Sequence, residues 1–325
     1  MRGPVSLTLS LLLATAIVAW AEVYQTMPEG LAAKWLTTTT AGPGWNAAGY
    51  ETRGWIPVTY DIPAGYPEWM SSAQQALHRF MWHPGGANRR KATYFRRPLW
   101  VDGQVAAATF RLCADDQFRF FVNGHPAGGR RSTGVTGTYD VTTWLKRGNN
   151  VLGVEAMDVR PPGWGLLAVG EITQTWPFDP KLPQWRCSAT AAPGWNRPEF
   201  NDSPWKPAAP DAAPAIALGE AGAFQCFSLP GGAIPEYSSA YFRLSLAVDG
   251  LPQEARLTVL ADDGYELYVN GKLMAIERRV DRAYWPATVA IGQVLRPGHN
   301  VIAVRVTNTW GPGRLHCVPT VKMVL

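Results

Sequence analysis

The chain repeats itself. Trp35, Gly44, Trp45, Asn46, Tyr50 and Trp55 return 150 residues later as Trp185, Gly194, Trp195, Asn196, Phe200 and Trp205. The run Tyr94–Gly103 returns 147 residues later as Tyr241–Gly250, with seven of ten residues identical. Ala114-Asp115-Asp116 and Val122-Asn123-Gly124 recur at the same 147 offset as Ala261-Asp262-Asp263 and Val269-Asn270-Gly271. Gly148, Asn150 and Val151 come back at 150 as Gly298, Asn300 and Val301. The offset changes only between these blocks, where loops absorb insertions. A period this long makes each copy a whole domain, because solenoid repeats run to only about 20–50 residues.

Inside each copy the period is two. Phe118, Phe120 and Val122 alternate with Gln117, Arg119 and Phe121, and Tyr265, Leu267 and Val269 do the same in the second copy. That alternation describes strands with one buried face. Asn123-Gly124 and Asn270-Gly271 accept positive φ and predict tight hairpins, while Ala-Asp-Asp supplies a turn just before each alternating run. The whole pattern predicts an all-β chain of antiparallel sandwiches. The copies are expected at 31–174 and 182–325, divided by the irregular Gln174–Pro180 segment. One stretch departs from the repeat: Trp69, Ala73, Ala76, Leu77 and Phe80 follow Pro67 at helical spacing, predicting a short helix over Pro67–Met81 in the first copy.

The N-terminus carries Arg2, an apolar run from Val5 to Trp20, and the small-x-small triplet Ala19-Trp20-Ala21. This predicts a 21-residue signal peptide and a secreted, periplasmic or cell-surface chain, with no membrane span after cleavage. Loss of Arg2 lowers the net charge from +5 to +4. The Arg pairs, such as Arg89-Arg90 and Arg278-Arg279, are scattered, which argues against nucleic acid as a partner. In an exported protein the four cysteines can form disulfides. Four cysteines allow three pairings, and Cys187–Cys226 is the pair expected, since both lie in the opening segments of the second copy. Cys113 falls on an inward-facing strand position and reads as a small core hydrophobe.

These blocks resemble the galactose-binding-domain-like jelly roll found beside the catalytic domains of family 2 glycoside hydrolases and bacterial α-L-rhamnosidases. The resemblance rests on a Trp-bearing opening, Phe200-Asn201-Asp202-Ser203-Pro204-Trp205, Tyr-Phe-Arg, Ala-Asp-Asp, Val-Asn-Gly, Gly-x-Asn-Val and a Gly-rich loop before the last strand. The second copy carries the full set. The first has Tyr50-Glu51-Thr52-Arg53-Gly54-Trp55 where the acidic pair is expected, so its entry departs from the pattern. The resemblance implies two tandem antiparallel jelly-roll β-sandwiches covering essentially 31–325. Its weight falls on fold, because this fold serves several functions. Some relatives hold a structural calcium ion, but no spacing here demands one, and no cofactor is expected.

No catalytic set emerges. Asp115-Asp116 and Asp262-Asp263 are neighbours in sequence, whereas glycosidase carboxyl pairs must face each other about 5–10 Å apart. His78 and His83 lack an acidic companion at metal-ligand spacing. The chain is therefore expected not to be an enzyme. Of the 15 tryptophans, six recur between the copies and are assigned to scaffold. The loop before the last strand is different: Arg160-Pro161-Pro162-Gly163-Trp164 in the first copy becomes Trp310-Gly311-Pro312-Gly313-Arg314 in the second. A Trp in such a loop can staple it to Arg or offer a platform to a sugar ring. With Asp158 and Asn308 nearby in sequence and Trp285 as a further, unrepeated loop aromatic, Arg160, Trp164, Trp310 and Arg314 complete the candidate ligand-binding set. The resulting expectation is a secreted carbohydrate-binding, lectin-like protein whose partner is a glycan or polysaccharide. The alternative is a cell-surface structural protein that uses the sandwiches for contacts with other surface proteins or for self-assembly.

Overall fold

A computed structural model describes residues 35–61, 80–86, 90–131, 135–160, 165–182, 184–211, 216–217, 223–278 and 285–325. The chain divides into two compact units, 1–100 with 108–170, and 101–107 with 171–325. The first copy of the repeat supplies β1 (Leu36–Thr38), β2 (Ile56–Pro57), β3 (Thr59–Asp61), β4 (Phe80–Trp82), β5 (Ala92–Val101) and β6 (Gln104–Asp115). It continues with β7 (Gln117–Val122), β8 (His125–Arg130), β9 (Gly137–Asp140), β10 (Gly148–Met157) and β11 (Gly165–Thr175). The second contains β12 (Trp185–Ser188), β13 (Lys206–Pro207), β14 (Ala209–Pro210), β15 (Ile216–Ala217), β16 (Ala223–Phe224) and β17 (Phe227–Ser228). Then come β18 (Ser238–Val248), β19 (Leu251–Asp262), β20 (Gly264–Val269), β21 (Lys272–Glu277), β22 (Ala287–Ala290), β23 (Gly298–Asn308) and β24 (Arg314–Val324).

The protein is all-β with sandwich-like sheets. Among the described residues the one helical element is a 3-10 turn at Thr142–Trp144. Most of the helix expected over Pro67–Met81 lies outside the described residues, but Phe80 and Met81 are strand, paired through β4 with β3. The first unit's six-stranded sheet runs β2-β1-β5-β10-β7-β8, and the second's runs β13-β12-β18-β23-β20-β21. Strand for strand these are the same order. In the second unit the other layer places β24 between β19 on one side and β17 on the other.

Alternation sets the faces. Phe118, Phe120 and Val122 are buried under Arg119, and Tyr265, Leu267 and Val269 are buried beneath Glu266 and Tyr268. The hairpins close through Asn123 and Gly124 (φ 51 and 85) and Asn270 and Gly271 (φ 50 and 84), a combination suited to type I′ turns. Each turn Asn also works across the sheet. Asn270 donates from Nδ2 to Val294 O and Asn300 Oδ1 and accepts from Val301 N. Asn123 repeats this with Trp144 O, Asn150 Oδ1 and Val151 N. Val-Asn-Gly and Gly-x-Asn-Val are thus two halves of one hydrogen-bonded corner.

The recurring tryptophans build the scaffold. Trp45 stacks on Trp55 at 6.2 Å and meets Tyr94 and Phe121 edge-on, and Trp195 stacks on Trp205 at 6.4 Å and meets Tyr241 and Tyr268. Beneath them a guanidinium ties the opening loop to the sheet. Arg243, 1% exposed, donates to Asp202 Oδ2 at 2.9 Å and to the carbonyls of Trp195, Arg197 and Phe200. In the first unit Arg96 donates to the carbonyls of Trp45 and Ala47. The second unit's core is aromatic: Phe227 stacks on Phe178 at 4.6 Å and touches Trp185 and Phe242.

The cysteine expectation is corrected. Cys113, Cys187, Cys226 and Cys317 are all free and buried. Cys187 lies in β12 of the six-stranded sheet, and Cys226 flanks β17 in the other layer. Their thiols approach separate carbonyls, Lys206 O at 3.6 Å and Phe224 O at 3.8 Å. Neighbourhood in the opening segments does not bring the two sulfurs together, because those segments feed different sheets.

Two predictions follow from this packing. Arg243→Met removes the buried donor to Asp202 Oδ2 and to the carbonyls of Trp195 and Phe200, leaving Asp202 only the longer contact with Arg186 at 3.9 Å, and is expected to cost the second unit about 3 kcal/mol. Arg96→Met, which strands carbonyls but no carboxylate that the structure pairs with it, costs less; urea unfolding of both variants measures the difference. Burial pushes the Cys187 and Cys226 thiols from an ordinary value of 9.0 up to about 11. A folded thiol pKa above the unfolded one contributes stability below about pH 9 that is lost as pH rises toward 11. Denaturation across that window should show the fall, and thiol reagents should count four cysteines only after unfolding.

Candidate functional site

The second Asp of each Ala-Asp-Asp turn pins the loop before the last strand. Asp263 Oδ2 accepts from Thr309 N at 2.7 Å and Trp310 N at 3.1 Å. Asp116 Oδ2 accepts from Val159 N and Arg160 N, both at 2.7 Å. These carboxylates are structural acceptors, each bonded to successive backbone amides, as the turn reading of the Asp pairs expects. Burial, together with the carboxylates of Asp116 and Asp158, raises the pKa of Asp115.

In the second unit the pinned loop is braced from several sides. Gly311 takes φ 70, and a Cβ on Gly313 would come within 2.8 Å of both Asn308 and Ile234. Asn308, 1% exposed, donates to Ile234 O at 2.7 Å and Gly311 O at 2.8 Å. Glu236 accepts from Gly311 N at 2.9 Å. Trp310 therefore stands on a rigid turn, 61% exposed, with its ring 5.2 Å from that of Tyr237, 69% exposed, in an edge-to-face pair.

Beside this pair lies a cleft of about 350 Å³ on the second unit, reaching Thr309 and lined by Asp263, Glu266, Glu277, Arg278, Arg305 and Thr307. It sits where the start of β20, at Gly264–Glu266, meets the end of β21 and the last residues of β23. Arg305 lies 3.7 Å from Glu266 and donates to Ser239 Oγ at 3.4 Å. The Tyr268 hydroxyl donates to Glu266 at 2.9 Å, and burial, then that carboxylate, raises its pKa. The first unit has the same cross-strand pair with its charges reversed: Arg119 of β7 meets Glu155 of β10, where Glu266 of β20 meets Arg305 of β23.

The expected site residues separate on this geometry. Trp310 is exposed on the braced loop and Trp285 is 69% exposed just before β22. Asn308 holds the loop from inside. Arg314, 8% exposed, turns inward to Asp211 at 3.3 Å and Asp262 at 3.7 Å. In the first unit Arg160 is exposed and Asp158 is buried at 1%; Trp164 lies outside the described residues. Sequence reasoning missed Tyr237, Glu236 and the cleft. Tyr237 replaces Arg90 at the repeat offset, both with positive φ (54 and 61), so an aligned aromatic substitution was its one signal. Among the described residues no three His, Cys, Asp or Glu side chains gather as a metal site.

No protein-family model matches the chain. An α-L-rhamnosidase of Streptomyces avermitilis is 27% identical over 270 residues, covering 73% of this chain but 24% of that enzyme. The chain thus spans about a quarter of the length of this curated relative. Among solved structures, the S. avermitilis α-L-rhamnosidase complexed with L-rhamnose is 19% identical with a TM-score of 0.28, covering 90% of this chain and 29% of that one. A Bacteroides uniformis β-glucuronidase is 10% identical with a TM-score of 0.30, covering 86% and 27%. A Pleurotus ostreatus lectin in complex with GalNAc is 23% identical with a TM-score of 0.26, covering 74% and 77%. The curated match is to a rhamnosidase, one of the families that the sequence motifs resemble.

Asp263→Ala removes the acceptor shared by two amides. The expected loss is about 1.5–3 kcal/mol locally, read as faster hydrogen exchange at Thr309 and Trp310 with the core strands unchanged.

Proposed function

We propose that the protein is a secreted, non-catalytic carbohydrate-binding protein built from two jelly-roll modules, with a glycan site on the second. The observation that carries this reading is the exposed Trp310, on a loop fixed by Asp263 and paired with Tyr237 from the segment before β18, beside a cleft rich in carboxylate, guanidinium and hydroxyl groups. A pyranose presents apolar C–H faces and polar edges; an exposed indole offers the first a platform, and Thr307, Glu277 and Arg278 offer hydrogen bonds to the second. A rigid loop also limits the ordering cost of binding.

A non-catalytic role is supported by the cleft's own chemistry. Asp263 is committed to two backbone amides, and Glu266 to Tyr268 and Arg305. The curated relative named as a rhamnosidase is matched over only 24% of its length. Export rests on the leader at 1–21, and no cofactor enters the proposal. In the first unit the corresponding role falls to Arg160 and Trp164, with Trp285 a further exposed aromatic on the second.

Glycan-array and polysaccharide-retention binding test the proposal. Binding is expected for the unaltered protein, and Trp310→Ala should weaken it about tenfold, the equivalent of about 1.4 kcal/mol of stacking. Tyr237→Ala should weaken it less. Absence of binding across neutral and acidic glycans, or binding indifferent to Trp310, overturns the assignment.

A further inference from the structure

The six-stranded sheets of the two units share order and register, yet they end differently. β8 pairs with β7 and β21 pairs with β20 through the same bulge, so His125–Arg130 and Lys272–Glu277 correspond residue for residue. The first unit's edge reads His-Pro-Ala-Gly-Gly-Arg, and the second's reads Lys-Leu-Met-Ala-Ile-Glu. Pro126 and Gly129 stand where Leu273 and Ile276 stand. Proline and glycine are common devices for blunting an edge against unwanted pairing. The second unit lacks both, and Leu273 and Ile276 are 45% and 44% exposed. No further strand pairs with β21 among the described residues.

The sequence of β21 is complementary to itself. If two copies meet antiparallel about a two-fold axis between Met274 and Ala275, Lys272 of one faces Glu277 of the other, and Leu273 faces Ile276. The faces agree as well. Leu273 and Ile276 lie opposite Tyr268 and Glu266, on the outer face, while Lys272 and Glu277 lie opposite Val269 and Tyr265, on the inner face. Residues opposed across an antiparallel pair share a face, so this register satisfies both the apolar and the charged pairs at once. A shift by one residue would set Leu273 against Ala275 and lose the Lys–Glu match.

We infer that β21 is a self-association edge, through which a second copy of this chain adds its own β21 to make a continuous sheet in a two-fold dimer. The contact is isologous, so it closes at two copies. One short strand pair is small beside the ~1,200 Å² typical of stable interfaces, so the dimer is a dissociable one that forms as concentration rises. Because Glu277 and Arg278 also line the cleft, the two clefts of the dimer come to flank the shared edge, and a polymer could engage both. The association itself does not depend on glycan binding.

Sedimentation of the full chain over a range of concentrations tests this without any sugar present. The expected result is a monomer–dimer equilibrium. Lys272→Glu should raise the dimer dissociation constant about tenfold or more, by setting carboxylates against each other, and adding Glu277→Lys should restore it. Grafting the blunt edge, Leu273→Pro with Ile276→Gly, should leave a monomer. Thermal melting of each variant confirms that it is folded. A wild-type chain that stays monomeric, or a dimer indifferent to Lys272→Glu and to the graft, or a charge-swapped double variant that stays as weak as the single one, overturns the inference.

Discussion

The fold of each unit depends on one guanidinium placed under an aromatic cap. The opening loop of the second unit has almost no regular structure, and its carbonyls would be left unsatisfied if it simply lay across the sheet. Arg243 rises from β18 and gathers the carbonyls of Trp195, Arg197 and Phe200 with the carboxylate of Asp202. A planar donor fork suits this task, because several acceptors can be met from one side chain. The stacked tryptophans then seal the site. Trp195 meets Tyr241 and Tyr268 edge-on, which covers that part of the sheet face.

The first unit shows how far that arrangement can drift. Asp202 corresponds to Thr52, so that position offers Arg96 no carboxylate, and its Nε finds no acceptor among the described residues. Burial lowers the pKa of Arg96, which is the cost of holding a cation there mainly with carbonyls. The aromatic cap persists with nearly the same distances, 6.2 Å against 6.4 Å for the stacked pair. The ring packing is nearly the same with the ion pair beneath it and without it.

How much of this was legible in the sequence depends on whether the signal was local or repeated. The alternation in β7 and β20, the Asn-Gly turns and the six scaffold tryptophans were legible because each appears twice in fixed register. The cysteines were not, since a disulfide requires proximity in space and β12 and β17 enter different layers. Nor was the inward turn of Arg314, whose partners Asp211 and Asp262 come from distant parts of the chain. Trp310 was legible as a loop aromatic, whereas its companion Tyr237 replaces an arginine at the repeat offset and left no matching pattern. The cleft is assembled from side chains on separate strands and has no linear motif.

The reversed ion pair on the outer sheet faces has a consequence for how the chain reaches its native state. Two adjacent copies with similar strands risk exchanging them while folding, a characteristic failure of tandem domains. Were β7 to dock against β23, Arg119 would face Arg305; were β20 to dock against β10, Glu266 would face Glu155. Like charges directly opposed across strands are destabilising. Only the partnership of strands within one copy sets arginine against glutamate, so the inversion makes each sheet recognise its own strands.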